Sequence, residues 1–425
     1  MESDPVLTDD LFRLFNATLN PNAALSLKRI LHTKLCCRED ITDRNQIIKC
    51  FIKNHALFES YQYSGLYYRE VFMNLEQNQF ITILYYDNPL KIIDNRKKTA
   101  QQLKGKVIQL ILFLRMYYKA YVENFEADTL PPVYKRTFEE FRNYFLSFRL
   151  DFHHGLIDRK KISSEDILNI LKTVHKHYRI NGSLSFIDAF SEFEAFISIA
   201  KKTVEHKLSF AEIDEHRNFS FTDLYHPQLS DPVKNSGVFS TGVTLLTGAN
   251  MAGKSTFLKA LGISVYLAHI GLPVPAEKFT TPYYDELYIF ISNNDDLHSG
   301  YSYFMQEMLN LKKTVLSCIS GNRCFVLFDE LFRGTNSEDA LEILSLTLEG
   351  LARFCESFFM ISTHIHELKN IKSVQHKVAT YYIECLVNNG LPEFTFKLKP
   401  GFSDLKLGKI LFEKIQLGEL LTTEP

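Results

Sequence analysis

The stretch Thr241-Gly-Val-Thr-Leu-Leu-Thr-Gly248-Ala-Asn-Met-Ala-Gly253-Lys254-Ser255-Thr256 decides the fold class of the C-terminal half of this chain. The apolar run Val243–Leu246 predicts a buried strand, and a helical pattern of apolar residues follows from Phe257 to Leu267. Between them lies the spacing GxxxxGKS, which is typical of a phosphate-binding loop (P-loop) that joins a strand to a helix. Short β-rich runs alternate with helical patterns from about residue 205 onward, so this half is predicted to be a mostly parallel α/β sheet.

The residues of this loop have the chemistry that a nucleotide triphosphate requires. Gly248 and Gly253 let the backbone curl so that its N–H groups point at phosphate oxygens, and the helix that follows adds the positive end of its dipole. Lys254 is predicted to reach the β- and γ-phosphates, and Ser255 to offer its hydroxyl to Mg²⁺. The predicted nucleotide-binding residues are Gly248, Ala249, Asn250, Met251, Ala252, Gly253, Lys254, Ser255 and Thr256.

Two further strands end in candidate catalytic residues. The run Cys324-Phe-Val-Leu-Phe-Asp329-Glu330 is an apolar strand that ends in two carboxylates, as in a Walker B site. Asp329 is predicted to hold Mg²⁺ through water, and Glu330 to orient or deprotonate the attacking water. The strand Phe358–Ser362 leads to His364, which is predicted to sense the γ-phosphate. Lys254, Glu330 and His364 are therefore the predicted catalytic residues of an ATP hydrolase.

The N-terminal half shows helical periodicity. Apolar residues at three- to four-residue spacing predict helices over about 97–125 and 137–150, from Ser163 onward and over about 184–204. Ser163 is predicted to cap the third helix, with Asp166 in its first turn, and Ser185 with Asp188 to cap the fourth. Phenylalanines at this spacing are predicted to form a core, in preference to a surface that stacks bases.

Composition excludes several classes of protein. The chain has 425 residues, of which 45% are hydrophobic, and its formal net charge is −2, so DNA binding requires a local basic patch. Seven cysteines without CxxC spacing predict free thiols in a reducing compartment. Neither a signal peptide nor an apolar run long enough for a bilayer is evident, which predicts a cytoplasmic protein without membrane contact.

Several segments, in order, resemble the MutS family of mismatch-repair ATPases. In the P-loop, Asn250-Met251 stands in the characteristic place; Asp329–Thr335 resembles the segment after Walker B, and Ser362–Leu368 resembles the switch-histidine motif. Further similar segments are the signature segment at Asp295–Glu307, the pair His226-Pro227 and the closing strands at Phe394–Gly401. The resemblance to the family's helical core and lever is weaker and involves Asp10–Leu31, Ile41–Gln46 and Phe186–Ala200.

The resemblance implies a multidomain chain, with an α-helical core and lever domain at 1–205 and an ABC-class P-loop ATPase domain at 206–425. It implies a homodimer in which Ser302 acts in trans on the γ-phosphate of the partner's nucleotide. Lys254, Ser255, Asp329, Glu330 and His364 then act in cis, and ATP serves as a reversible clamp. Duplex or branched DNA and a repair or recombination protein are the partners implied.

The chain also departs from the family pattern. A mismatch-reading domain before the helical core is expected to be missing, because the core motif begins near residue 8. The DNA clamp between the lever helices is also expected to be missing, because only 126–162 separate them. Phe332 stands where the family often has glycine, and Tyr301 and Tyr303 replace a basic and a small polar residue. The expected function is therefore a DNA-coupled ATPase without intrinsic mismatch recognition.

A second function stays open, namely an ATP-driven switch that acts on a protein partner and does not bind DNA. A basic cluster in the first long helix bears on this choice, since it either contacts phosphates or forms a solvated helix face. Its members are Lys97, Lys98, Lys104, Lys106, Arg115 and Lys119. Salt-dependent DNA affinity favours the first function, and its absence favours the second.

Overall fold

The structure, a computed structural model, describes residues 5–77, 80, 82–95, 98–215, 218–240, 242–291, 303–332, 335–370, 378–388, 391–403, 405, 412 and 421. The chain forms two compact units. The sheet unit comprises Met1–Leu14, Thr33–Ile41 and His206–Pro425, and the helical unit comprises Phe15–His32 and Thr42–Glu205. The predicted division into 1–205 and 206–425 stays a prediction, and the sheet unit also takes in two short segments of the N-terminal half.

The helical N-terminal half and the α/β C-terminal half confirm the predicted fold class in its coarse form. The helices are α1 (Pro5–Phe15), α2 (Pro21–His32), α3 (Arg38–Lys53), α4 (His55–Phe58), α5 (Gly65–Glu76), α6 (Pro89–Asp94), α7 (Lys98–Tyr117), α8 (Pro132–Ser147), α9 (Leu150–Asp158), α10 (Ser164–Glu205), α11 (Lys254–His269), α12 (Tyr303–Ile319) and α13 (Ser337–Leu351). The strands are β1 (Glu212–Asp214), β2 (Phe219–Leu224), β3 (Asn235–Phe239), β4 (Gly242–Thr247), β5 (Lys278–Pro282), β6 (Glu286–Phe290), β7 (Cys324–Phe328), β8 (Phe358–Ser362), β9 (Val378–Asn388) and β10 (Leu391–Pro400).

The main sheet of the sheet unit has six strands in the order β10-β9-β4-β8-β7-β6, and a smaller sheet has the order β1-β5-β2-β3. In the main sheet, β9, β4, β8, β7 and β6 run parallel, whereas β10 pairs with β9 antiparallel. Ile361 of β8 is in register with Leu245 of β4 and with Phe328 of β7. Because β8 lies between β4 and β7, the segments that follow these three strands meet at one edge of the sheet.

Helices cover both faces of the main sheet, as expected for parallel strands. On one face, α13 contributes to a buried cluster that includes Leu245, Val326, Phe328, Leu344, Leu348, Phe359 and Ile361. On the other face, α11 approaches closely at Gly262, where an added Cβ would lie 3.1 Å from Cδ1 of Leu327. Leu327 alternates with Val326 and Phe328 along β7, so the two helices pack against opposite faces.

The C-terminal end of α11 is fixed by a buried histidine. His269 is 3% exposed; its Nδ1–H donates to the carbonyl oxygen of Val265 (2.8 Å), and its Nε2 accepts a hydrogen bond from the N–H of Tyr284 (2.9 Å). The ring stacks on those of Tyr283 and Tyr284. Burial lowers the pKa of His269 to about 4, because the charged imidazolium is poorly solvated there. The acceptor role of Nε2 also requires the neutral ring.

In the helical unit, the predicted break before residue 184 is wrong, because one helix of 42 residues, α10, runs from Ser164 to Glu205. This stretch holds no proline, and a glycine within a helix weakens it without ending it. The start agrees with the sequence: the N–H of Asp166 donates to Oγ of Ser163 (3.1 Å), and the N–H of Ser163 donates to Oδ2 of Asp166 (2.9 Å). The predicted cap at Asp188 is wrong for the same reason, and the side chain of Ser185 lies outside the described residues.

Aromatic rings fill the core of the helical unit, as the periodicity predicts. The predicted stripes are buried: Phe138, Phe141, Phe145, Phe148, Phe186, Phe190, Phe193 and Phe196. The ring centroids of Phe51 and Phe193, for example, lie 5.0 Å apart. No helix within the described ranges is both long and apolar enough to cross a lipid bilayer.

One carboxylate is buried in this aromatic core. Glu194 of α10 accepts hydrogen bonds from the N–H of Leu19 (2.5 Å), Nδ2 of Asn20 (2.9 Å) and the hydroxyls of Tyr61 (3.0 Å) and Tyr63 (2.5 Å). Burial raises the pKa of Glu194, although these donors oppose the shift. The four donors come from the segment before α2 and the segment between α4 and α5, which Glu194 therefore ties to α10.

Candidate functional site

The candidate site lies at the carboxyl edge of the central strands in the main sheet. The glycine-rich loop, residues 248–253, follows β4; Asp329 and Glu330 follow β7; and His364 follows β8 by two residues. The topology thus brings to one edge the three segments that the sequence singled out.

The backbone of the glycine-rich loop takes conformations that favour glycine. Gly248 and Gly253 have φ of 140° and 100°, and Met251 has φ of 68°. A Cβ on Gly248 would lie 3.1 Å from the carbonyl oxygen of Ile383, so another residue would crowd β9. The two glycines of the motif are therefore required both by the dihedral angles and, at Gly248, by the lack of space.

The other residues of the predicted loop differ in exposure. Ala249 and Ala252 are buried, and the N–H of Ala252 donates to the carbonyl oxygen of Ala249 (3.2 Å). The side chains of Asn250, Met251, Ser255 and Thr256 are exposed. Helix α11 begins at Lys254, so its first turn and the hydroxyl of Ser255 lie at this edge.

Lys254 is the buried cation of the site, with 5% of the residue exposed. Its Nζ donates to the carbonyl oxygens of Gly248 (3.0 Å) and Ala249 (3.3 Å), and lies 3.9 Å from Oε1 of Glu330. A buried ammonium group needs such partners because its desolvation is costly. The contact with Glu330 joins two residues that the sequence placed in one site from separate motifs.

Asp329 and Glu330 are held by a hydroxyl of the neighbouring strand. Oγ of Ser362, the last residue of β8, donates to Oδ1 of Asp329 (2.5 Å) and accepts a hydrogen bond from the N–H of Glu330 (2.8 Å). The N–H of Asp329 donates to the carbonyl oxygen of Phe290 in β6 (3.1 Å). Sequence reasoning gave Ser362 no role, since a strand-end serine carries no local signal for a contact with another strand.

The turn after Glu330 explains a departure from the family pattern. Glu330 and Phe332 have φ of 53° and 68°, a region that non-glycine residues seldom adopt. The ring of Phe332 is 1% exposed and packs edge-on against Phe304, and the N–H of Phe332 donates to Oε2 of the buried Glu307 (3.1 Å). Glycine suits this dihedral angle, and Phe332 offsets the conformational cost by burying an aromatic ring.

Of the two remaining predicted site residues, the structure describes His364 but not Ser302. His364 is exposed at the site edge, after Thr363, whose N–H donates to the carbonyl oxygen of Leu246 in β4 (3.1 Å). Ser302, predicted to act in trans, lies outside the described residues, as does most of the predicted signature segment.

One aromatic residue beside the loop was missed as a site residue. A Cβ on Gly253 would lie 3.0 Å from Cδ1 of Phe396, and Phe396 is 41% exposed. Phe396 has φ of 56° at an irregularity in the pairing of β9 with β10, and its carbonyl oxygen accepts a hydrogen bond from Nδ2 of Asn235 (3.1 Å). Its closeness to the loop depends on the sheet order, which no local pattern reveals.

The basic cluster of the helical unit is partly neutralised. Nε of Arg115 donates to Oδ1 of Asp151 (2.9 Å), and Nζ of Lys119 lies 2.6 Å from Oε1 of Glu123 and 3.2 Å from Oδ2 of Asp151. Lys98 is exposed, Lys104 and Lys106 are half-buried, and Lys97 lies outside the described residues. Two members of the predicted phosphate-binding cluster therefore pair with carboxylates of the same unit.

Comparison with known proteins finds similarity to MutS proteins. The family profile of MutS domain V matches residues 244–419. DNA mismatch repair protein MutS of Shouchella clausii is 28% identical over 241 residues, which are 55% of this chain and 27% of that protein. The MutS protein of a Geobacillus species is 33% identical over 173 residues, which are 41% of this chain and 20% of that protein. The MutS protein of Listeria monocytogenes is 31% identical over 179 residues, which are 42% of this chain and 21% of that protein.

The chain spans about a fifth to a quarter of the length of these curated relatives. The matched region begins in β4 and includes the glycine-rich loop, Asp329, Glu330 and His364. Residues 244–419 of this chain thus match MutS domain V, and the chain is similar to bacterial MutS proteins over about 40–55% of its length.

Proposed function

We propose that the sheet unit binds ATP together with Mg²⁺ and hydrolyses it. The observation that carries this proposal is the 3.9 Å approach of Nζ of Lys254 to Oε1 of Glu330 at the edge where the glycine-rich loop and Asp329 also lie. Phosphoryl transfer requires a cation for the phosphates, a carboxylate for the attacking water and a second carboxylate for the metal. Lys254, Glu330 and Asp329 supply one group of each kind.

The residues of the site then have different roles in binding and hydrolysis of ATP. The N–H groups of residues 249–256 and the first turn of α11 bind the phosphates, and Lys254 contacts the β- and γ-phosphates. Glu330 takes the proton of the attacking water, and His364 senses the γ-phosphate. The exposed ring of Phe396 beside Gly253 offers a face on which a purine base can stack.

The donor set suits Mg²⁺. The hydroxyl of Ser255 and the carboxylate of Asp329 are hard oxygen ligands, and both follow parallel strands that end at the same edge of the sheet. When bound, Mg²⁺ neutralises charge on the phosphates and polarises the transferred group. Ser362 holds one carboxylate oxygen of Asp329 in place, which favours a single orientation of this ligand.

The resemblance to the MutS family supports a homodimer with composite sites. In this proposal, Ser302 of one chain contacts the γ-phosphate bound by the other, so ATP joins the two subunits. Ser302→Arg places a bulky cation at that contact and is expected to prevent ATP-dependent dimer formation. Light scattering with and without ATP measures this, and an unchanged ATP-dependent dimer contradicts the role of Ser302 in trans.

Similarity to DNA mismatch repair proteins supports a link between ATP turnover and DNA. We propose that the chain acts on duplex or branched DNA in repair or recombination, without reading mismatches itself. A helical core and lever domain at 1–205 then transmits the state of the ATPase domain at 206–425. Contacts with the DNA backbone are expected to make the affinity fall with salt.

One observation favours a second function, an ATP-driven switch that acts on a protein partner. Arg115 and Lys119, two members of the basic cluster, are paired with Asp151 and Glu123. Paired cations contribute less to phosphate binding, because the new contact must replace an existing one. The helical unit then has fewer groups for DNA than the sequence alone suggests.

ATP turnover with a panel of DNA ligands separates the two functions. The purified chain is assayed alone and with homoduplex, mismatched, single-stranded and branched DNA, at low and at moderate salt, with Glu330→Gln as the inactive control. Turnover that changes with one class of DNA, more strongly at low salt, supports the DNA-coupled ATPase. Turnover that responds to none of them supports the protein-directed switch.

A further inference from the structure

One hydroxyl group contacts both residues of the candidate acid pair. Ser362 is fully buried, and its Oγ both donates to Oδ1 of Asp329 (2.5 Å) and accepts from the N–H of Glu330 (2.8 Å). A serine hydroxyl has one proton, so these two bonds specify its orientation. The carboxylate of one residue and the backbone of the next are thereby fixed relative to β8.

The segment held in this way has an unusual backbone. Glu330 has φ of 53°, in the left-handed region, two residues after the end of β7, a strand in which φ is negative. The change in direction at Glu330 determines where its side chain points. The N–H that donates to Oγ of Ser362 belongs to Glu330, so this hydrogen bond holds the backbone where it changes direction.

We propose that Ser362 is a positioning residue for Asp329 and Glu330, an inference that rests on the proposed ATPase function. Its hydroxyl holds Oδ1 of Asp329, which leaves Oδ2 to face a metal-bound water. Through the N–H of Glu330, it also fixes the direction from which that carboxylate reaches the attacking water. Hydrogen-bonding partners of metal-ligating carboxylates commonly have this role, and their loss typically lowers activity or metal affinity by about 10- to 100-fold.

The place of Ser362 in the sheet adds to this role. It ends β8, which is paired on one side with β4 and on the other with β7. The next residue, Thr363, donates its N–H to Leu246 of β4 (3.1 Å). The end of β8 is thus bonded to the strand before the glycine-rich loop and to the segment after β7, so it sets the distance between them.

The chain contains a matched control at the opposite end of the same two strands. Ser357, just before β8, is also buried, and its Oγ accepts a hydrogen bond from the N–H of Cys324, the first residue of β7 (3.0 Å). Ser357 and Ser362 therefore make the same kind of bond to β7 or its continuation, but Ser357 lies at the edge away from the site. Loss of Ser357 tests what a purely structural bond contributes.

The experiment compares the unmodified chain with Ser362→Ala, Ser362→Thr and Ser357→Ala. Steady-state ATP turnover gives kcat and KM, and binding of a fluorescent ATP analogue at increasing Mg²⁺ gives the metal dependence. We expect Ser362→Ala to lower kcat by ~10- to 100-fold with KM changed less than about threefold, and to require more Mg²⁺ for binding. Ser362→Thr keeps the hydroxyl and is expected to recover most of kcat.

Ser357→Ala is expected to lower the melting temperature as much as Ser362→Ala does, while kcat stays within about threefold of the unmodified chain. If kcat and the Mg²⁺ dependence of Ser362→Ala match those of Ser357→Ala, Ser362 is only a structural residue and the inference is overturned. An unmodified chain that neither binds nor hydrolyses ATP overturns the proposed function as well, so the two failures are distinguishable.

Discussion

Nζ of Lys254 lies 3.9 Å from Oε1 of Glu330, although one residue begins α11 and the other follows β7. Both side chains are largely buried, with 4% and 17% of the side chain exposed. At this distance and burial, the two charges interact more strongly than in water. The pair therefore defines the centre of the candidate site.

Replacement of Lys254 by alanine is expected to abolish ATP binding. Lys254 supplies charge-assisted hydrogen bonds to the phosphates at about 1.5–3 kcal/mol each, so two of them correspond to a loss of ~100-fold or more in affinity. Isothermal titration with ATP measures the effect. Lys259→Ala, about one and a half turns further along α11, is the matched control. Unchanged affinity in Lys254→Ala contradicts the assignment of the phosphate site.

Glu330→Gln is expected to bind ATP normally but to turn it over ~10²- to 10⁴-fold more slowly, because the amide cannot take a proton from water. Single-turnover assays with radiolabelled ATP separate binding from hydrolysis. The exposed Glu338, at the start of α13, provides the control Glu338→Gln. A Glu330→Gln variant with normal turnover excludes Glu330 as the general base.

Gly248→Ala is expected to prevent ATP binding in a folded protein. Gly248 and Gly321 both have positive φ, 140° and 91°, so alanine strains the backbone by ~1–2 kcal/mol at either site. Only at Gly248 does the added Cβ also meet a carbonyl oxygen, that of Ile383 at 3.1 Å, whereas Gly321 has open space. Gly321→Ala should therefore share the loss in melting temperature and keep ATP affinity. Equal affinities in the two variants contradict the role of the close approach.

Phe396→Ala is expected to weaken ATP binding by ~5- to 150-fold, the range that corresponds to 1–3 kcal/mol for base stacking on an aromatic ring. Binding of inorganic tripolyphosphate, which has no base, should stay unchanged. Phe394 stacks on Phe396 with centroids 6.0 Å apart, and Phe394→Ala is the control for packing in β10. Equal losses of affinity for ATP and for tripolyphosphate would show that Phe396 supports the glycine-rich loop and does not stack on the base.

The buried His269 predicts an acid-sensitive sheet unit. Its pKa is about 4 in the folded chain, below the ordinary value of 6.5, so the unfolded chain binds one more proton between these values. The contribution of the neutral ring to the free energy of unfolding is therefore complete above pH 6.5. This contribution, about 3 kcal/mol in all, is lost as pH falls toward 4.

The urea midpoint measured from pH 7.5 to 4.5 tests this, with His269→Gln as the variant that does not titrate. The glutamine oxygen can still accept the N–H of Tyr284, which limits the structural change. The midpoint of the unmodified chain is expected to fall more steeply with acid than that of the variant. Parallel profiles show that His269 does not contribute to the pH dependence.

Local patterns predicted the helical N-terminal half, the α/β C-terminal half and the residues that we propose for the site. The spacing of Gly248, Gly253 and Lys254 and the strand-end carboxylates are contiguous in the chain, and parallel strands bring their ends together by topology alone. The Ser163–Asp166 capping pair is local in the same way, and the structure contains it.

The missed features depend on contacts between distant segments. Ser362, Glu307 and Phe396 lie on neighbouring strands or on a helix and contact segments of the candidate site. The order of the strands cannot be inferred from the sequence of any single strand. The continuity of α10 was missed for a different reason. Helix propensity around a glycine is a weak signal, and packing of the buried aromatic stripe overrides it.

The position of β4 in the main sheet has a consequence for synthesis of the chain. Its two partners, β8 (Phe358–Ser362) and β9 (Val378–Asn388), are synthesised much later. When β4 leaves the ribosome, neither strand with which it pairs in the main sheet has been made. Pairs closed over such long separations form slowly. A nascent chain that stops before β8 lacks both strands that pair with β4 in the main sheet, and such unpaired strand edges favour aggregation at this stage of translation.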